Sequence, residues 1–221
     1  MFNHVQLITP VHLNTTEGPK GRFYVAPNGS KYPSVTTVLG AKEKPHLKQW
    51  RNMLGDSKAD AEMTRASTRG TAVHLMIERH INNDATPTKN HKPEHVAEFN
   101  SVRLMLKKIN NVLIQEAALY SDIMKIAGRV DCIAEYEGVL AVVDFKTSTN
   151  DKKESMVYDY FLQTTAYALM VGEMYNIQID DLVIIMSVER GIVPLVFRGK
   201  VEDYVRPLLE RINTYHTKAG E

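Results

Sequence analysis

The chain has 221 residues, 43% of them hydrophobic and 24% charged, with 12 glycines, 9 prolines and a formal net charge of +1. That composition belongs to a globular protein and excludes collagen-like, low-complexity and disulfide-framework architectures. The one cysteine, Cys132, can neither form an internal disulfide nor build a four-cysteine cluster, so a reducing compartment and no iron–sulfur cluster are expected.

In chain order, residues 20–33 read as two short strands around the turn signal Pro27-Asn28-Gly29, a small hairpin. Ser34 is placed to cap a short helix that stops at Gly40, and a second helix follows near residues 46–54. Ala66, Val73, Met76, Ile77 and Ile81 recur at helical spacing, predicting a long helix over residues 58–82. Residues 84–93 are polar with two prolines and read as a loop, and residues 94–110 return to helical spacing. Three strands are then predicted at 112–120, 126–136 and 139–147, forming an antiparallel meander. A helix over 155–175, strands at 182–188 and 192–197, and a last helix over 201–217 complete a mixed α/β (α+β) sheet covered by helices.

The densest chemistry lies in residues 128–148. A hairpin symmetric about Glu137-Gly138 sets Asp131 directly across from Asp144 on one sheet face. Facing residues have Cβ atoms about 4.5–5.5 Å apart, where two carboxylates destabilise the pair unless a cation neutralises them. Lys146, two residues past Asp144, returns to the same face, while Phe145 points the other way and leaves its backbone carbonyl nearby. Hard oxygen ligands of this kind suit Mg²⁺ or Mn²⁺, and such a site suits phosphodiester hydrolysis by a metal-activated water that Lys146 holds or deprotonates. The same tripeptide also occurs as a strand-end ion pair, with Asp131 an ordinary turn or surface residue.

Four segments in order resemble the PD-(D/E)XK nucleases, in particular their RecB-like exonuclease branch with its mitochondrial, phage and bacterial members. They are Gly70-Thr71-Ala72-Val73-His74, Gly128-Arg129-Val130-Asp131, Asp144-Phe145-Lys146 and Gln163-Thr164-Thr165-Ala166-Tyr167. The resemblance implies a restriction-endonuclease-like αβββαβ core. It also implies that His74, Asp131, Asp144 and the Phe145 carbonyl hold the metal, that Lys146 is catalytic, and that Gln163 and Tyr167 line the site. Taken alone, His74 also reads as a packed core histidine, and Gln163 and Tyr167 as helix-surface and core residues.

Glu116, on the first meander strand, is either a further metal-site carboxylate of the kind some relatives carry or a plain strand-face glutamate. The Ser34-Val35-Thr36-Thr37 segment resembles one implicated in gripping single-stranded DNA. Its hydroxyls at a helix start can meet a phosphate or merely cap the helix. Trp50 and Arg51 can stack a base and meet the backbone of a single strand, or serve as core and surface residues.

The expectation is therefore a Mg²⁺- or Mn²⁺-dependent DNA exonuclease preferring single-stranded ends, with residues 1–57 a DNA-gripping elaboration and residues 58–221 the nuclease core. An endonuclease on the same fold and a catalytically idle nucleic-acid-binding module are the alternatives. No apolar run approaches a membrane span and no secretion signal or Arg-rich leader is read, so no membrane partner and a bacterial or phage-infected cytoplasm are expected.

Overall fold

The computed structural model describes residues 1–42, 44–191 and 193–220. The predicted hairpin is part of a three-stranded antiparallel sheet, β1 (Asn14–Gly18), β2 (Gly21–Val25) and β3 (Lys31–Pro33). Its added strand, β1, is exposed at every position and so carries no apolar alternation to betray it. Ser34 caps α1 (Val35–Gly40) as expected, its Oγ accepting from the Thr37 N–H at 3.0 Å. The helices α2 (Pro45–Leu54), α3 (Asp56–Ile81) and α4 (Pro93–Leu106) follow. Here α4 ends before the predicted limit at 110, because the Ile109 side chain belongs to the strand that follows.

The main sheet comprises β4 (Ile109–Ser121), β5 (Ile126–Tyr136), β6 (Val139–Ser148), β7 (Asp181–Val188) and β8 (Leu195–Lys200), in that spatial order. The first three form the expected antiparallel meander, and β6 and β7 are parallel, joined across a 3₁₀ turn (Glu154–Met156) and α5 (Tyr158–Tyr175). The last strand lies at Leu195–Lys200 rather than 192–197, and Ile192 lies outside the described residues. A final helix, α6 (Val201–Gly220), follows.

Two apolar layers sandwich this sheet. Val73, Met76, Phe99 and Val102 of α3 and α4 meet Val143, Phe145, Val183 and Ile185 on one face. On the other, Val35, Val38, Leu162, Ala166 and Leu208 of α1, α5 and α6 meet Ile133, Val142 and Ile184. Each Val, Leu, Ile, Phe or Met among them, fully buried, contributes about 1.5–3 kcal/mol. The small sheet packs against β4 and β5 through Leu13, Tyr24, Tyr32 and Ala127, and isolated bridges join Val11 to Ala118 and Ser34 to Ala127. No described helix is long and apolar enough to cross a membrane.

Two irregularities shape the middle of the sheet. Strand residues alternate faces, yet Ile114 and Ala117 both enter the α5-side core, as do Val130 and Ile133. The alternation breaks at Glu116, whose φ of +49° is rare for a residue with a side chain, and at Asp131 opposite it. At that same level the β5–β6 ladder ends with the pair Cys132–Val143. Beyond it, β5 continues with β4 alone and β6 with β7 alone, so the sheet forks.

Candidate active site

The fork gathers the charged residues. In the register of the hairpin, Asp131 and Asp144 are the next opposed pair after Cys132 and Val143, and Glu116 is opposed to Asp131 in turn. Three carboxylates thus stand in one row across β4, β5 and β6. At Asp131 the side chain replaces the ladder: its Oδ2 accepts the Phe145 N–H at 2.9 Å. From α3, His74 Nδ1 reaches within 3.6 Å of the same oxygen. One ligand atom each of His74, Glu116 and Asp131 lies within 4.8 Å of the others, a spacing a single metal ion can bridge. Glu116 thus lies with His74 and Asp131.

Asp144 stands beside this trio, with 1% of its surface exposed. Lys146 Nζ lies 2.5 Å from its Oδ2, and among the described residues neither carboxylate oxygen has a partner in hydrogen-bond geometry. That ammonium is the one cation facing this fully buried carboxylate among the described residues, and a hard cation is the kind of group that would satisfy the oxygen it leaves unpaired. Burial raises the Asp144 pKa to about 7, with Asp131 adding to the effect and Lys146 opposing it. Burial likewise raises Glu116 to about 7, reinforced by Asp131 and Glu78 and opposed by Arg129. For Lys146, burial works to lower the pKa, but Asp144 and Asp131 outweigh it, and the ammonium is held in its charged form. Burial lowers the His74 pKa, leaving a neutral imidazole, the form that ligates metals. The donor set fits a divalent cation.

The α5 helix closes the site from one side. Tyr167 and Gln163 are buried, and the Gln163 amide donates to the Tyr167 hydroxyl at 3.2 Å, so they form its floor rather than a surface. Tyr167 lies over Gly128, where a Cβ would stand 2.7 Å from its Cε1. Sequence reasoning missed Tyr160, whose ring centre lies 5.2 Å from Lys146 Nζ. Its spacing to Gln163 and Tyr167, three and seven residues, was the available signal. Phe145 packs into the α3-side core as expected, edge-on to His74. At Gly70 a Cβ would meet Thr147 Oγ1 at an ordinary 3.5 Å, so α3 passes close to its own β6 there.

The residues expected to grip a strand are placed less uniformly. The Ser34 Oγ lies 2.9 Å from Thr36 Oγ1 and 2.8 Å from Thr37 Oγ1, so the capping alternative accounts for Ser34, which is buried. Thr36 is exposed, whereas Thr37 Oγ1 also bonds the Arg22 backbone. Trp50 is 37% exposed on α2. Arg51 is already neutralised, at 2.7 Å from Asp56 and 2.6 Å from Asp60. Cys132 is buried in the sheet with a thiol pKa pushed up, chiefly by burial.

The model of the PD-(D/E)XK nuclease superfamily matches residues 89–188, which hold Glu116, Asp131, Asp144, Lys146 and the α5 residues. Mitochondrial genome maintenance exonuclease 1 of Mus musculus is 27% identical over 172 residues, 72% of this chain and 50% of that protein. Its Xenopus tropicalis counterpart is 29% identical over 173 residues, 72% of this chain and 49% of that protein. The chain thus spans about half the length of these relatives. The match over residues 89–188, the order of strands and helices, and the carboxylate row with its lysine agree, and together they support a PD-(D/E)XK nuclease.

Proposed function

We propose that the protein is a metal-dependent DNA exonuclease that acts at single-stranded ends. The observation that carries this reading is the forked sheet, which gathers Asp131, Asp144 and Lys146 with His74 and Glu116. The name of the relatives, exonuclease, supports action at an end.

His74, Asp131 and Glu116 would hold the metal, with Asp144 and the Phe145 carbonyl completing the donor set. A Mg²⁺ or Mn²⁺ ion bound there supplies Lewis acidity at the phosphate and a more acidic water. The chain's own part is positional and electrostatic. The Phe145 N–H fixes the Asp131 carboxylate, and the Lys146 ammonium faces charge that builds on the phosphate as it is attacked. Gln163, Tyr160 and Tyr167 hold the α5 side of the site in place. Thr36 and Trp50, exposed on the N-terminal 57 residues, offer a hydroxyl and an aromatic face to an approaching strand.

The test is end-labelled linear single-stranded DNA beside a circular single-stranded control, with Mg²⁺, with Mn²⁺ and with EDTA. Loss of the linear substrate alone, abolished by EDTA, is expected. Cutting of the circle would establish an endonuclease instead, and binding without cleavage an idle module. Lys146→Ala should lower cleavage by about 10²–10³-fold with its circular dichroism unchanged; wild-type turnover in that variant would remove Lys146 from the chemistry.

A further inference from the structure

Across α5 from the fork, α1, α5 and α6 enclose a groove of about 900 Å³. Apolar Val38 and Leu162 form part of its lining, and Lys20, Lys42, Arg211 and Lys218 outnumber its one carboxylate, Glu210. Asp159 is held between Lys44 at 3.1 Å and Arg211 at 3.6 Å, and among the described residues Lys20, Lys42 and Lys218 enter no ion pair. Tyr158, 42% exposed, stands at the groove. Two residues further along the same helical turn, Tyr160 faces Lys146.

We propose that this groove is a second nucleic-acid surface, gripping the backbone of the single strand whose end occupies the fork. The proposal rests on the exonuclease reading. The cations match a polyanion, the tyrosine offers a flat face that stacks on any base, and neither feature selects sequence. The first turn of α5 joins the two places: Tyr158 in the groove, Asp159 pinned by Lys44 and Arg211, Tyr160 at the site. A strand bent around that turn touches both. An apolar protein partner would leave these lysines without counter-charges, and a lone small anion would fill little of such a volume.

The test compares the double variant K20E/K218E with K89E/K92E, which makes the same change in charge beside α4 on the opposite face of the sheet. Fluorescence anisotropy in EDTA measures binding of a long (about 20-nucleotide) and a short (about 5-nucleotide) oligodeoxythymidylate. K20E/K218E should weaken the long strand at least about tenfold and flatten its dependence on log salt by about 1.4, which is about 0.7 for each phosphate no longer neutralised. The short strand and the control variant should behave as wild type. Unchanged binding of the long strand, or an equal loss for both lengths, would overturn the proposal. Cleavage of the short strand in Mg²⁺ reports on the fork separately, so a failure of the exonuclease reading is not confused with a failure of the groove.

Discussion

At Gly128 the side chain that is missing is supplied by another residue. Tyr167 fills the space, and a Cβ would lie 2.7 Å from Cε1 and 3.1 Å from its hydroxyl. Gly128→Ala must therefore displace a buried ring or bend β5, at a cost of about 1–3 kcal/mol. A thermal melt should show this as a fall of about 2–4 °C per kcal/mol, and an unchanged melting temperature would mean the ring does not rest there. Other single residues are legible in the sequence to different degrees. The opposition of Asp131 and Asp144 follows from one turn, because Glu137 and Gly138, with φ of +53° and +82°, make the tight hairpin that fixes the register. Glu116 is ambiguous because its place depends on a left-handed backbone that no side-chain pattern encodes. Arg51 reads as available because its partners, Asp56 and Asp60, lie beyond the break at Gly55, and pairing across a bend is invisible to helical spacing.

Between elements, a buried arginine ties α3 and α4 to the ends of β6 and β7. Arg69 of α3, 3% exposed, lies 3.5 Å from Glu98 of α4, pairs with Glu189 at the end of β7, and donates to Thr149 Oγ1 at 3.3 Å. Glu98 also accepts from Ser187 of β7 at 3.0 Å. This cluster sits one residue before Gly70 and three past Lys146, so it sets how the His74 helix meets the strand bearing the lysine. Arg69→Met should cost about 3–5 kcal/mol in urea unfolding, because it leaves Glu98 buried without its cation. Burial raises the Glu98 pKa, against the pull of Ser187 and Arg69. Its share of stability is therefore full below the ordinary carboxylate range and lost as pH rises through the raised value. Glu98→Gln, which keeps the Ser187 bond, should gain on wild type as pH climbs from about 4, and a constant difference across that range would contradict the assignment. The helices and strands themselves are legible from apolar spacing. Their tie is not, since a basic residue on a helix reads as solvated surface until the fold buries it.

For the molecule as a whole, the open question is whether the N-terminal 57 residues stand apart. Val35, Val38 and Leu39 are 1%, 1% and 5% exposed in the same core as α5 and α6, and Ser34 bridges to Ala127 beside the site. Three side chains buried to that extent contribute about 5–9 kcal/mol together, comparable with the whole stability of a domain. The segment and the remainder should accordingly unfold as one. The chain carries its own reporter for this: its single tryptophan, Trp50, lies in the segment, whereas the main sheet and most of the helical residues, which dominate the far-ultraviolet circular dichroism, lie outside it. In a urea titration, tryptophan fluorescence and circular dichroism should give coincident midpoints, and a chain begun at residue 58 should show no cooperative transition. A fluorescence midpoint at lower urea than the dichroism midpoint would mean that the segment opens alone, as a separate unit hinged beside the fork.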